Sequence, residues 1–149
     1  MSPRQWHEHI AGRLGVQLSF EEFCACWNRA LDPEPILDDL LFVDLGARYR
    51  LGLLSNTDPL HAAQLDHHYG FPRHFSARIY SCRVGMSKPS PAIYQAALDA
   101  MGLAPAEALY IDDIPEYVDA AQKLGLSAIQ FQDPLQLLAE LNKRNLLFG

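Results

Sequence analysis

Apolar positions recur along this chain at two spacings, and the alternation between them gives the first reading of its elements. In SPRQWHEHIAGRLG, Trp6, Ile10 and Leu14 fall three to four residues apart, which predicts a helix stopped by Gly15. SFEEFCACWNRAL places Phe20, Phe23 and Trp27 on one stripe behind a capping box of Ser19 and Glu22. The stripe reads as a packing face between two helices. Pro33 and Pro35 in DPEP then break the pattern and mark the internal boundary.

From Ile36 the texture changes. ILDDLLFVDLGARY predicts a helix with Ile36, Leu40 and Val43 on one face. RLGLLS is short and almost wholly apolar, the pattern of a strand buried on both faces. DPLHAAQLDHHYG starts a helix with Pro59 just inside it and ends at Gly70. ARIYSC reads as a second strand. SPAIYQAALDAMG reads as a helix with Ser90 as cap, Pro91 first and Gly102 after its end. ALYIDD is a third strand, IPEYVDAAQKLG its helix, SAIQFQ a fourth strand and PLQLLAELNKRNLL a last helix. Strands alternating with helices predict an α/β fold, a Rossmann-like parallel sheet with helices on both faces. In such sheets the chemistry sits beyond the carboxyl ends of the strands.

Composition narrows the class. The 149 residues suit one domain, or one domain and part of another, and can bury a core without staples. A net charge of −6 argues against general nucleic-acid binding but leaves small anions open, since local charge governs those. Cys24, Cys26 and Cys82 are odd in number and lack zinc-type spacing, as reduced thiols would be. No apolar run approaches a membrane span and MSPRQWHEHI lacks a signal peptide's apolar core, so the expected location is cytoplasmic.

Each strand end carries a chemical candidate. The first closes in SNTD, Ser55 to Asp58, where a hydroxyl and an amide meet a helix N-terminus and suit an anion. Thr57 or Asp58 in a mere capping role is the plainer alternative there, but it leaves Ser55 unexplained. After the second strand, GMSKPSP holds Lys88 out of helical geometry ahead of Pro89, a point charge for phosphate or carboxylates. The third ends in Asp112 and Asp113. Two carboxylates about 4 Å apart repel by roughly 4 kcal/mol near a protein surface, so a cation belongs beside them. Magnesium, which takes few protein carboxylates and keeps several waters, suits the pair. Helix capping accounts for at most one of the two acids.

A hydroxyl, a lysine and two acids on successive strand tips, carried by RYRLGLLSNTDPLH, GMSKPSPAIYQAAL and LYIDDIPEYVDAAQKLGLSAIQF, resemble the haloacid dehalogenase-like hydrolase superfamily. The likeness is to its phosphatase-type branch with a helical cap. It implies that residues 1–33 are the C-terminal part of a cap and 34–149 the α/β core. It also implies that Ser55 and Asn56 bind the transferring phosphoryl group of a small phosphorylated metabolite and that Lys88 neutralises its charge. Asp113 would hold magnesium directly, with Asp112 ligating it or orienting its waters. The double acid favours phosphatase over dehalogenase chemistry, which needs no metal. Tyr117 departs from the pattern, where an asparagine is usual, and is expected to alter packing more than chemistry.

The same resemblance calls for another strand carrying an aspartate nucleophile, between the strands ending at Ser55 and Asp112. Nothing before Trp6 can hold it, and Asp44 in LLFVDLG reads as an ordinary helical residue. Covalent catalysis needs that nucleophile. An empty central slot also leaves several buried backbone groups unpaired, at about 1–3 kcal/mol each. Four resolutions follow: a chain truncated at its N-terminus, flanking strands that close up, a strand from a neighbouring copy, or one from a separate polypeptide. Truncation is favoured here. The competing function is a non-catalytic binding or assembly module; 2-haloacid dehalogenation ranks last. Of the histidines, His7, His9, His67 and His68 lack metal-motif spacing, and only His61 lies near the Ser55 loop.

Overall fold

The computed structural model describes residues 1–31 and 34–147. Helix α1 (Pro3–Leu14) opens on a reciprocal box between Ser2 and Gln5 and stops at Gly15, whose φ of 66° lies in the left-handed region. Helix α2 (Phe20–Trp27) opens on the expected Ser19–Glu22 box. Phe23 is buried and stacks on Trp27 at 5.3 Å, while Trp6 meets Trp27 edge-on at 6.1 Å. The aromatic stripe is therefore packing between helices. Asp32 and Pro33 of the DPEP break lie outside the described residues.

Helix α3 (Asp39–Gly46) begins later than its sequence suggests, because Asp38 Oδ1 accepts the Leu40 N–H and caps it there. The stripe of Ile36, Leu40 and Val43 is exposed, at 71%, 67% and 48%. Leu37, Leu41 and Leu45 turn inward instead and meet Ile129, Leu137 and Leu141. With Ile36 in the entering loop, the i, i+4, i+8 row starting at Leu37 is the one that faces the core.

Four strands form among the described residues: β1 (Gly52–Ser55), β2 (Ala77–Tyr80), β3 (Leu109–Asp112) and β4 (Ser127–Gln130). Helix α4 (Pro59–His68) follows β1; α5 (Ser81–Val84) and α6 (Pro91–Met101) follow β2. Helix α7 (Pro115–Lys123) follows β3 and α8 (Pro134–Lys143) follows β4. Ser90 makes no side-chain bond at the start of α6, which Pro91 alone opens, while Gly102 ends it at a φ of 62°. Pairing is parallel, with Ser55 opposite Tyr80 and Asp112 opposite Gln130.

The expected sheet is open along its middle. β1 pairs only with β2 and β3 only with β4, in two separate sheets. The flanking strands have not closed up. Burial follows from this: Tyr80 and Ile129 on the outer strands are buried, whereas no residue of β1 or β3 is, and Ile111 is 37% exposed. β1 is thus not covered as fully as its apolar run predicts, because one of its two neighbouring strand positions is unfilled.

Helices hold the halves together. Ile93, Tyr94 and Leu98 of α6 form a core with Ala121 and Leu126, joined by Leu54 and Ile79 from one sheet and by Tyr110 and Ala128 from the other. α3 reaches both sides as well, through its leucines to α8 and through Phe42 to Phe71 and Phe75 ahead of β2. Among the described residues no helix is long and apolar enough to cross a membrane.

Candidate functional site

β1 gives way to α4 at Asp58, whose Oδ1 accepts the N–H groups of Leu60 and His61 while Pro59 presets the first helical turn. The intervening loop is clamped from the side. Ser81 Oγ accepts the Thr57 N–H at 2.9 Å and donates to the Thr57 carbonyl at 3.0 Å. Ser55, half-buried at the strand tip, is thereby held between two fixed segments.

Lys88 reaches the same place from the other loop. α5 ends at Gly85, at a φ of 71° that glycine adopts without a Cβ penalty. Asn56 then clasps the backbone of Lys88 from both sides: its Nδ2 donates to the Lys88 carbonyl at 2.9 Å and its Oδ1 accepts the Lys88 N–H at 2.8 Å. The lysine side chain turns inward. Its Nζ donates to the Leu54 carbonyl at 3.2 Å and to Asp112 Oδ2 at 2.6 Å, and both charged side chains are only 8% exposed.

Asp112 is fully engaged. Strand alternation puts Tyr110 on its face, and the Tyr110 hydroxyl donates to Oδ2, while Oδ1 accepts the Ile114 N–H at 3.0 Å. Burial works to raise its carboxyl, but the hydrogen bonds from Lys88, Tyr110 and Ile114 outweigh it and hold the group below the ordinary carboxylate range. Burial first, and then the bond to Asp112, push the Tyr110 hydroxyl far up. Neither acid caps α7, whose first cap position is Ile114 without a side-chain bond.

Asp113 differs. It is exposed, and its carboxylate makes no hydrogen bond or ion pair among the described residues; Gln130 Nε2 holds its carbonyl at 3.3 Å. Tyr117 stands over the lysine, its ring centroid 4.9 Å from Nζ and its hydroxyl 3.2 Å from Asn56 Nδ2. The residue expected to matter for packing is therefore also a wall of the charged site, in cation–π range.

The structure thus brings Ser55, Asn56, Lys88, Asp112 and Asp113 to one end of the two sheets, with the ammonium joining the residue before Ser55 to the residue before Asp113. It leaves Asp44 exposed on α3, His7 and His9 on α1, and His67 and His68 at the end of α4. His61 faces Asp58 Oδ2 through Nδ1 at 3.1 Å and the Trp27 carbonyl through Nε2 at 3.0 Å, a link between α2 and α4. Among the described residues no three His, Cys, Asp or Glu side chains gather as a metal cage. One unpaired hard carboxylate beside a second, lysine-bound one still fits magnesium, which keeps most of its waters.

Two cavities adjoin the site. A cleft of about 580 Å³ is lined by Phe42 and Phe71 from the β1–β2 side and by Ile111 and Phe131 from the β3–β4 side, with Asp112 and Asp113 on its rim. A second, of about 650 Å³, lies between α1 and the loops after β1 and β2. Sequence reasoning passed over Tyr110, Ser81 and Gln130. Only Tyr110 left a signal there, two residues from Asp112 on the same strand face.

A family model for haloacid dehalogenase-like hydrolases matches residues 34–125. The pig bifunctional epoxide hydrolase 2 is 40% identical over 70 residues, which are 47% of this chain and 13% of that protein. A phosphoserine phosphatase of Thermus thermophilus is 39% identical over 61 residues, 40% of this chain and 24% of the enzyme. The chain therefore spans a small part of the length of these curated relatives. In structure, 90% of this chain aligns with 71% of a HAD family enzyme from Bacteroides thetaiotaomicron, solved with magnesium and inorganic phosphate, at 27% identity and a TM-score of 0.80.

Proposed function

The chain belongs to the haloacid dehalogenase-like hydrolase family, and on that premise we propose that its strand-tip site serves a magnesium-dependent phosphatase of small phosphorylated metabolites. The observation that carries this reading is the buried Lys88 ammonium, shared between the Leu54 carbonyl and Asp112. Phosphoryl transfer is catalysed mainly by positioning and by charge placed where the equatorial oxygens lie. Ser55 donates a hydrogen bond to the phosphoryl group, Asn56 fixes the loop that presents it, and Lys88 offsets its negative charge. Asp112 orients the ammonium. Asp113 supplies the direct carboxylate ligand for magnesium, which when bound neutralises phosphoryl charge. On the same reading residues 1–33 are the remnant of a cap standing over a core of 34–149.

The attacking group in this chemistry is a carboxylate on a strand between β1 and β3, and no described residue occupies that position. That position, open beside both β1 and β3 and bridged at its tip by Lys88, suits an extended apolar strand supplied from outside residues 1–149 or exchanged between copies. The unfilled position also favours a second reading, a binding module that holds anions without processing them. Turnover separates the two. The chain alone, and a version extended at its N-terminus by an apolar strand ending in aspartate, are assayed on an aryl phosphate with and without magnesium. Magnesium-dependent hydrolysis by the extended version, lost when that aspartate becomes asparagine, supports the phosphatase. No hydrolysis by a folded extended version supports the binding module, and metal-independent turnover of a 2-haloacid would contradict both.

A further inference from the structure

Helix α2 ends at Trp27, helix α4 is capped by Asp58, and one histidine stands between the two ends. His61 directs Nε2 at the Trp27 carbonyl, 3.0 Å away, and Nδ1 at Asp58 Oδ2, 3.1 Å away. A carbonyl and a carboxylate only accept hydrogen bonds, whereas a neutral imidazole has one N–H to give and one lone pair. With the proton on Nε2, the Nδ1 lone pair would face the carboxylate. With the proton on Nδ1, the Nε2 lone pair would face the carbonyl. The imidazolium, donating from both nitrogens, is the form that satisfies both partners.

The surroundings favour the charged form. A cation is stabilised at the C-terminal end of α2, as the Asp58 carboxylate is at the N-terminus of α4. The Trp27 ring stacks on His61 with centroids 5.9 Å apart, in cation–π range. The His61 and Asp58 side chains are 16% and 12% exposed, so water replaces a lost partner poorly. Of the other groups packed here, Asn28 and Gln64 form a neutral pair and Trp6 closes the α1 side. The Met1 ammonium borders the same space and opposes a second positive charge. Cys82, its thiol pushed up by burial, stays neutral, and Arg83 is bound to Asp66.

We propose that His61 is a proton-operated latch, holding the α1–α2 pair against α4 while both its nitrogens carry protons and loosening the α2 end when one proton leaves. Trp27 takes part from both sides of its residue: its carbonyl accepts from His61, and its Nε1–H donates to Asp58 Oδ2 at 2.9 Å. Loss of the proton turns one attractive contact into a meeting of two acceptors, so the docked arrangement weakens as pH rises. Asp58 also closes the loop that Ser55 opens, and one carboxylate therefore ties the helical pair to the strand tip. The latch stands on this junction alone, whatever the strand tips bind.

Trp6 and Trp27 both sit at the junction, so quenching of their fluorescence by acrylamide, an uncharged probe, reports how open it is. Measurements on the full chain at about pH 5 and about pH 8 bracket the span in which histidine changes charge. The quenching constant is expected to rise about twofold with pH as the loosened form becomes populated. His61→Gln flattens the response, while Asn28→Ala, which removes a neutral link to Gln64, keeps it. Met1 and His9, the latter beside Trp6, are retained in His61→Gln, so a rise that persists there belongs to them and overturns the latch. Nitrogen-15 spectra of the wild-type imidazoles give a reading independent of any variant's folding: His61 protonated at both nitrogens at about pH 5 and at one at about pH 8. A His61 ring with a single proton at the lower pH, or quenching unmoved between the two, overturns the proposal.

Discussion

Lys88 Nζ lies 2.6 Å from Asp112 Oδ2 and 3.2 Å from the Leu54 carbonyl, so one side chain joins the tips of two strands that do not pair. Removing either partner leaves a charge stranded in a site where both are 8% exposed. Lys88→Met is expected to lower unfolding free energy by about 3 kcal/mol, at the low end for a broken buried pair. The double variant Lys88→Met/Asp112→Leu recovers much of that loss. Urea denaturation of both single variants and the double variant measures the coupling; strictly additive losses would show that the pair does not interact.

Asn56 acts on the backbone of Lys88. Asn56→Ala removes the bonds to the Lys88 N–H and carbonyl and is expected to cost about 1–2 kcal/mol, at about 1 kcal/mol per bond. It also weakens inorganic phosphate binding, because the ammonium loses its fixed approach. A variant with full stability and full phosphate affinity would contradict this role.

Tyr117 offers a finer test. Tyr117→Phe keeps the ring above the ammonium, whereas Tyr117→Ala removes it, and the difference is expected at about 0.5–1 kcal/mol in denaturation. Equal effects would assign the residue to its hydroxyl contact with Asn56 instead.

At the acid end the sign follows from Asp112. Its folded carboxyl sits below the ordinary value of 3.8, so its contribution is present above that pH and is lost as pH falls through the folded value. Stability of the wild type should decline below about pH 3.8, and Asp112→Asn should flatten that part of the curve. Identical acid limbs in thermal scans of the two proteins would be the contrary result.

At the alkaline end Tyr80 and Tyr94 are raised from 10.0 to about 12, chiefly by burial, and Tyr110 is raised further. A raised folded value contributes stability that is complete below pH 10.0 and is lost as pH climbs through about 12. Phenolate absorbance should therefore show three of the 6 tyrosines ionising late in the folded protein and without delay in urea. Coincident titration in both states would contradict the burial.

The strand tips were legible because each apolar run stops at a polar residue and is followed by a proline-opened helix: Ser55 before Pro59, Asp112 before Pro115. Lys88 was legible because Pro89 excludes it from the helix. The inward face of α3 was misread, since Asp38 starts the helix at Asp39 and so selects the row from Leu37 over the one from Ile36. Ser81, Gln130 and Tyr117 act across loops 17 to 61 residues apart in sequence, a distance over which hydrophobic periodicity carries nothing. The burial of β1 was overestimated for a related reason: it depends on a neighbouring strand that lies at no fixed spacing from the run itself.

The account stands on Ser55, Lys88 and Asp113 serving one anion and its counter-ion together. Calorimetric titration of inorganic phosphate with and without magnesium measures this directly, because two ligands sharing a site change each other's affinity by the same factor. The predicted result is saturable phosphate binding that magnesium tightens, with the tightening lost in Asp113→Asn and phosphate binding lost in Lys88→Met. Phosphate binding indifferent to magnesium, or undiminished in Lys88→Met, would mean that these side chains share an address without sharing a ligand.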